Sequence, residues 1–364
     1  MGGQCSCAPS GTRTDDDVAQ ELAPKRRGWT RRGRKGAFRY LDREGREIRD
    51  EAALERIQRL AIPPAWKDVC ISPSPRAKLQ ATGIDGAGRK QYLYHPDFRA
   101  AQEQAKYDGL IRFAERLPAL RTAMAEHLDR DGLDRERISA IALRLINLGW
   151  LRVGSERHAR ESRTYGVTTL TKRHVTVRGN RVSLSFRGKH RIQVRSTVVD
   201  DELAAAMREL LRVPGGARVF RYAWEGDLYN LTSKRLNDYV KTYMGPEFSA
   251  KHFRTWGGTL LAAVALAEHA ERHGFPETKT DEKRSVTAVM RRVAQQLGNT
   301  PAVCRASYVS PAVVDQYLEG RTIEDFRPRH LRVVSARQVE LDAEEQALLS
   351  LLRSWRIRQA RAAA

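Results

Sequence analysis

Four cysteines in 364 residues are too few and too scattered to cross-link the chain. Cys5 and Cys7 lie in the leader while Cys70 and Cys304 stand alone, a spacing that makes neither a disulfide framework nor a zinc site. No apolar run reaches about 18 residues, so no segment is expected to span a membrane. The opening MGGQCSCAPSGTRTDDD lacks the apolar core of a secretory signal. It does match the loose pattern M-G-x-x-x-S for myristoylation, as a small polar leader does by accident. The chain is therefore expected to be cytoplasmic. Also missing are a G-x-x-x-x-G-K-[ST] phosphate loop, an H-E-x-x-H pair and any obvious D-x-D cluster, the marks of nucleotide-driven or metal-driven chemistry. Acidic residues are in short supply too. Asp and Glu number 44 against 65 Lys and Arg, giving a formal charge of +21 and a pI near 10.2.

Such an excess of positive charge predicts a polyanion partner, and nucleic acid above all. The run KRRGWTRRGRKGAFR, Lys25 to Arg39, is about half basic with Trp29 and Phe38 interleaved, and reads as a tethered arm for a phosphate backbone. The preference for Arg and Ala over Lys suggests a GC-rich bacterial genome. Residues 1–24 are polar and aperiodic and read as a disordered tail. Residues 25–103 read as a small mixed domain, and 104–364 as a mostly helical one.

In the small domain, Phe38 to Asp50 predicts a hairpin about Glu44-Gly45, and Glu51 onward a helix stopped by Pro63-Pro64. Strands are expected around 68–72, 78–82 and 89–95. In the larger part, Ile138 to Glu161 predicts one core helix, which Gly149 and Gly154 weaken. HVTVRGNRVSLSFRGKHRIQVRS alternates through three runs and predicts a three-stranded meander, with Lys189 in its second turn. Helices are expected over about 200–211, 229–244, 259–273, 284–297 and 343–360. GFPETKTDEK reads as a loop, and no internal repeat is visible.

The helix ending at Leu297 carries Val286, Val289, Met290, Val293 and Leu297 as a core stripe, with Gly298 just past its end. Thr300-Pro301 and Ser310-Pro311 each read as N-cap plus first helical residue. Tyr308 falls between these two starts. Its setting suits an outward-facing hydroxyl and an ordinary half-buried aromatic equally well.

The segments GWLRVGSERHARE, YGVTTL, FRGK, KHFRTWGGT and LGNTPAVCRASYVSP occur in that order. Together they resemble the poxvirus-like type IB DNA topoisomerases of bacteria and viruses. IPPAWKDV and QATGIDGAGRKQYLYHPDFR resemble the DNA-clamping module of the same family, so the likeness runs from about Gly36 to Glu319. It implies an α+β fold: a small N-terminal β-sheet domain and a helical catalytic domain carrying a three-stranded antiparallel sheet. It implies an enzyme that relaxes positive and negative supercoils. A strand is cut through a 3′-phosphotyrosine, rotates and is resealed, with no cofactor, ATP or metal, because the covalent bond stores the energy of the cut.

The resemblance assigns Tyr308 as nucleophile and Arg152 and Arg254 as the catalytic arginines, whose planar guanidinium groups can each bind two phosphoryl oxygens. It assigns Lys189 as general acid, a turn-borne ammonium whose pKa nearby arginines would lower. It makes Asn299 a neutral donor to a phosphate oxygen. Taken singly, Arg152 reads as a surface or ion-pair arginine, Lys189 as a solvated charge, Asn299 as a helix terminator and Arg254 as stacked on Trp256. In the N-terminal domain Arg89, Lys90, Gln91, Tyr92 and Tyr94 match family positions that touch DNA. Alternatively that strand turns an aromatic face into the core.

The nearest rival is a tyrosine recombinase, which typically has H-x-x-R at the second arginine; here Lys251 takes the histidine's place and is assigned to DNA binding. A second is an architectural DNA binder with a dead site. The expected partner is double-stranded DNA, clamped by a monomer at the bacterial nucleoid.

Overall fold

The computed structural model describes residues 28–327 and 339–362. The polar leader with its myristoylation pattern, and Lys25 to Arg27 of the basic run, lie outside the described residues. The chain divides into two compact units, Met1–Lys106 and Tyr107–Ala364, and its class is α+β.

The first unit is built on an antiparallel sheet of five strands in the order β2-β1-β3-β4-β5. These are β1 (Trp29–Arg34), β2 (Ala37–Leu41), β3 (Lys67–Ile71), β4 (Leu79–Ile84) and β5 (Lys90–Tyr94). One helix, α1 (Glu51–Arg59), starts where the Asp50 carboxylate accepts the Ala53 N–H and ends before Pro63-Pro64. Ile57, Val69, Ile71 and Ala81 form the small core, with Trp29, Trp66 and Leu93 around it.

Two expectations change here. The basic run is not a free arm, because Trp29 to Arg34 is the strand that joins β2 to β3. The Arg31 guanidinium donates to the carbonyls of Trp66 (2.6 Å) and Pro63 (3.2 Å) and lies 4.2 Å from the Phe38 ring centroid. A side chain with those partners fixes its backbone. Phe38 to Leu41 accordingly pairs backward with β1, and Glu44-Gly45 closes only a short turn with a single bridge, Leu41 to Glu47. The Asp42 carboxylate shapes that turn by accepting the N–H groups of Glu44 and Arg46.

The second unit packs around helices α2 (Pro96–Leu128, continuing from the first unit), α3 (Arg135–Gly149) and α7 (Lys251–His273). Phe113 of α2 meets Phe253 of α7 edge-on at 5.1 Å, and Ile138, Ile141 and Leu145 of α3 are fully buried. The expected meander is present as β6 (Val175–Arg178), β7 (Arg181–Arg187) and β8 (Gln193–Val199). Val182, Leu184 and Phe186 face inward, and the alternate residues face out.

The single helix expected over Ile138 to Glu161 is two. Helix α3 stops at Gly149 because Trp150 takes a left-handed conformation (φ 47°), and α4 (Glu156–Glu161) begins after an extended link. Helix α5 (Asp201–Arg212) agrees with expectation, whereas Tyr229 belongs to a hairpin, β9 (Arg221–Trp224) with β10 (Asp227–Asn230). Its turn is Glu225-Gly226, both with positive φ, a hairpin signal that the helical reading overlooked. Thr232 then caps α6 (Ser233–Met244). Helix α8 (Lys279–Leu297) takes in part of the expected loop. Thr300 and Ser310 cap α9 (Pro301–Ser307) and α10 (Pro311–Leu318), each with proline at the first position. The final helix α11 (Ala343–Ala362) docks through Glu345, whose carboxylate accepts from Arg121 (2.8 Å to each oxygen) and from the Trp256 indole (3.0 Å). No described helix is long and apolar enough to cross a membrane.

Candidate active site

Helix α7 is the spine of the site. Arg254 is 5 % exposed on it. Its Nη1 donates to the Trp150 carbonyl (2.5 Å) and its Nη2 to the Leu297 carbonyl (2.8 Å), while Nε has no acceptor among the described residues. Arg254 therefore ties the end of α3 to the end of α8. It does not stack on Trp256, whose indole is turned to Glu345; it lies over Tyr308, 5.1 Å from the ring centroid.

Trp150 is held in turn by the same helix. A Cβ placed on Gly257 would stand 2.3 Å from the Trp150 indole, so only glycine admits that ring. Two residues on, Arg152 sits in the extended link between α3 and α4. Its carbonyl accepts the Val167 N–H (2.9 Å) and that of Val153 accepts the Thr168 N–H (2.7 Å). The two segments approach so closely that a Cβ on Gly166 would stand 2.5 Å from the Gly154 nitrogen and 2.6 Å from the Arg152 carbonyl oxygen. Glycine is required at the crossing.

Arg152 Nη2 donates to Asn299 Oδ1 at 2.5 Å. Gly298, at φ 60°, ends α8 and turns the chain so that Asn299 faces this way. The Asn299 Nδ2 is buried and finds no oxygen or nitrogen acceptor among the described residues. The thiol of Cys304 is nearby: burial raises the thiol pKa against the charge of Arg254, a hydrogen bond from the Asn299 side chain and the charge of Arg152, and a protonated thiol is a weak acceptor. Tyr308 caps the C-terminal end of α9, half-buried. Lys189 is exposed in the turn between β7 and β8, where His190 and Arg191 both have positive φ (59° and 61°). Two successive left-handed non-glycine residues cost on the order of 1 kcal/mol each or more. A cleft runs past Trp150, Arg152, Lys189, Arg254, Leu297 and Gly298. Tyr308 is not in its wall but stands against Arg254.

The electrostatics agree with this grouping. Burial pushes the Tyr308 hydroxyl up, but the charge and hydrogen bond of Arg254, with the charges of Arg152 and Lys189, bring it below the ordinary tyrosine value. Burial, then the neighbouring Arg152, lower the pKa of Arg254, which still remains a cation at any working pH. The structure thus brings together all five residues singled out in sequence: Arg152, Lys189, Arg254, Asn299 and Tyr308. Such a site can hold an anion with developing charge and offer it a hydroxyl. Sequence reasoning missed Trp150, which Arg254 and Gly257 hold; the paired glycines Gly257-Gly258 inside a helical pattern were the available signal. Among the described residues, no three His, Cys, Asp or Glu side chains gather to hold a metal ion.

Lys251 is exposed at the start of α7, three residues before Arg254. In the first unit, Leu93 of β5 packs on the core while Lys90, Tyr92 and Tyr94 share the opposite face. Tyr92 stacks with Tyr94 (6.4 Å), and Lys90 lies 5.6 Å from the Tyr92 ring. Arg89 and Gln91 are both bound to Asp85, through Nη2 at 2.7 Å and Nε2 at 2.9 Å. The Arg89 side chain first, then the backbone N–H groups of Arg89 and Ala87 and the Arg89 charge, hold Asp85 well below the usual carboxylate range, at about 2.

Residues 95–325 match the family model of the eukaryotic DNA topoisomerase I catalytic core, and residues 37–85 that of the bacterial DNA topoisomerase IB N-terminal domain. Over 269 residues the chain is 30% identical to the DNA topoisomerase 1B of Acanthamoeba polyphaga mimivirus, covering 72% of this chain and 80% of the relative. It is 18% identical over 272 residues to the DNA topoisomerase 1B of vaccinia virus (strain Copenhagen), covering 73% and 82%. The same figures hold for the DNA topoisomerase I of monkeypox virus.

Proposed function

This chain belongs to the type IB DNA topoisomerase family, and from that footing we propose a role for each residue of the site. Tyr308 Oη, its phenolic proton lost to solvent, attacks a phosphodiester of duplex DNA as the phenolate. The phosphorus–O5′ bond breaks as the phosphorus–Oη bond forms, which leaves a 3′-phosphotyrosine and a free 5′-hydroxyl. Lys189 gives its proton to the departing O5′. Arg152, Arg254 and Asn299 bind the non-bridging oxygens as charge builds on them. After the cut strand has rotated about the intact one, the 5′-hydroxyl attacks the phosphotyrosine, the proton returns and Tyr308 is released. Supercoils of either sign relax in this way without ATP.

One observation carries the reading. Three cations converge on one tyrosine, beside two buried N–H groups, Arg254 Nε and Asn299 Nδ2, that find no oxygen or nitrogen acceptor among the described residues. A buried donor without a partner costs about 1–3 kcal/mol, and a phosphate oxygen would satisfy it. A recombinase is not favoured, since the matching family model is that of a topoisomerase.

We also propose that one copy closes both units on the duplex and works at the bacterial nucleoid; the match of residues 37–85 to a bacterial domain supports the source. Lys90, Tyr92 and Tyr94 offer their exposed or half-exposed side to DNA, with Arg89 and Gln91 reaching it from beside Asp85, to which both are bound, and Lys251 at the mouth of α7. The test is supercoiled plasmid incubated with the protein in excess chelator and without ATP. A ladder of relaxed topoisomers is expected for both signs of supercoil. Strand exchange between two sites without relaxation would overturn the reading.

A further inference from the structure

Helix α7 does more than carry Arg254. Arg254 and Gly258 are one turn apart and face the same way. A Cβ placed on Gly258 would stand 2.7 Å from the Tyr308 carbonyl oxygen and 3.0 Å from the Tyr308 Cβ, so Tyr308 rests directly on the helix backbone beneath the guanidinium that lies over its ring. The next residue, Thr259, is fully buried. The proton of its hydroxyl lies between the Thr255 carbonyl (2.8 Å) and the Tyr308 carbonyl (3.2 Å), and its oxygen accepts the buried Ser310 N–H (3.1 Å). Ser310 in turn caps α10. One hydroxyl therefore fastens both ends of the stretch from Tyr308 to Ser310 to the helix that bears Arg254. It reaches neither the cleft nor any of the five site residues' functional atoms.

We propose that Thr259, seated by Gly258, is a positioning residue for Tyr308, setting the distance from the tyrosine oxygen to the phosphate held by Arg254. This rests on Tyr308 being the nucleophile. The arrangement makes chemical sense because α9 is short and holds Tyr308 and Val309 only through N–H groups that converge on one carbonyl, that of Cys304 (2.9 and 3.1 Å), so the Thr259 hydroxyl supplies the tie to α7. A displacement of about 1 Å at a reacting atom costs on the order of 100-fold in rate.

The test compares Thr259→Val, nearly the same shape without the hydroxyl, with Thr259→Ser, which keeps it. Adduct formation is followed under single turnover at saturating duplex DNA, with affinity measured separately in a Tyr308→Phe background. Thr259→Val is expected to slow adduct formation by about 10-fold or more, with affinity within about twofold, while Thr259→Ser stays within about threefold of wild type. A purely structural threonine would lower the melting temperature and leave the rate of the folded protein alone; that outcome overturns the proposal. Should Thr259→Val not fold, Gly258→Ala carries the same test, since it displaces the Tyr308 carbonyl without removing a hydrogen-bonding group. If Tyr308→Phe still forms an adduct, the nucleophile is misassigned, which is a separate failure.

Discussion

Arg254 binds two carbonyl groups through its terminal nitrogens, and its Nε has no acceptor among the described residues. Its Arg254→Ala variant should slow strand cleavage by about 100- to 1,000-fold while leaving DNA binding largely in place. Quenched-flow measurement of the adduct checks this, and an unchanged rate would remove Arg254 from the chemistry. The pH dependence follows from the same contacts. Tyr308 has its pKa below the ordinary value, burial being outweighed by Arg254, Arg152 and Lys189, so its phenolate fraction grows as pH rises towards that lowered value. The cleavage rate should therefore climb with pH and level off below about 10, the ordinary tyrosine value. Arg152→Ala should move the rising limb to higher pH; a limb that does not move would mean that the cations do not activate the tyrosine. At this scale the five site residues were legible because motif words around them mark their order. Trp150 was not: a left-handed tryptophan is rare and no local pattern announces it. Nor could the sequence tell that Arg254 stacks on Tyr308, fifty-four positions on, rather than on the tryptophan two residues away.

Between elements, two braces hold the site, and both can be tested. The first is the crossing of the Arg152 link over Gly166. Gly166→Ala would press its Cβ onto the Arg152 carbonyl and the Gly154 nitrogen, so cleavage should fall with a smaller loss in DNA affinity. A fully active Gly166→Ala enzyme would contradict this. The second is α11, whose Glu345 joins Arg121 to the indole of Trp256, two residues from Arg254 on α7. Removing one member of a buried pair leaves the other unpaired, so Glu345→Ala should cost about 3 kcal/mol at neutral pH. Burial raises the pKa of Glu345, but Arg121 and the Trp256 N–H more than reverse that and hold it below the usual glutamate value. Its contribution is thus present above about 4.3, the unfolded value, and fades as pH falls through the lower folded one. Thermal melts of wild type and variant should converge in acid, and a constant difference would mean the carboxylate is not the source. Helix starts at Thr300 and Ser310 were readable because a capping side chain and a proline act locally. The break after Gly149 was only hinted at, since it depends on a carbonyl that Arg254 recruits from another helix. The β9–β10 hairpin was not read: the expected helix was started at Tyr229, inside β10, and the Glu225-Gly226 turn before it went unused.

For the whole molecule, the formal charge of +21 makes binding to DNA largely a matter of released counterions. If about six to ten phosphates are neutralised, affinity should fall about 1,000- to 100,000-fold between 50 and 200 mM salt. A titration showing little salt dependence would mean that the charge lies away from the DNA. Composition alone pointed to a polyanion but misjudged how the charge is arranged, because Arg31 is bound to backbone carbonyls inside the first unit. The central claim, that Tyr308 carries the cut strand, is tested most directly on the full chain. Duplex DNA is added, the reaction is quenched in detergent, and the protein is digested with trypsin and mapped for its DNA-linked peptide. Cleavage after Arg305 and Arg321 places Tyr308 and Tyr317 in one peptide, and Tyr317 is fully buried against His269. The account predicts a single nucleotide-bearing peptide, Ala306 to Arg321, modified at Tyr308 and absent from Tyr308→Phe. A linkage at any other residue, or relaxation of plasmid by Tyr308→Phe, would contradict it.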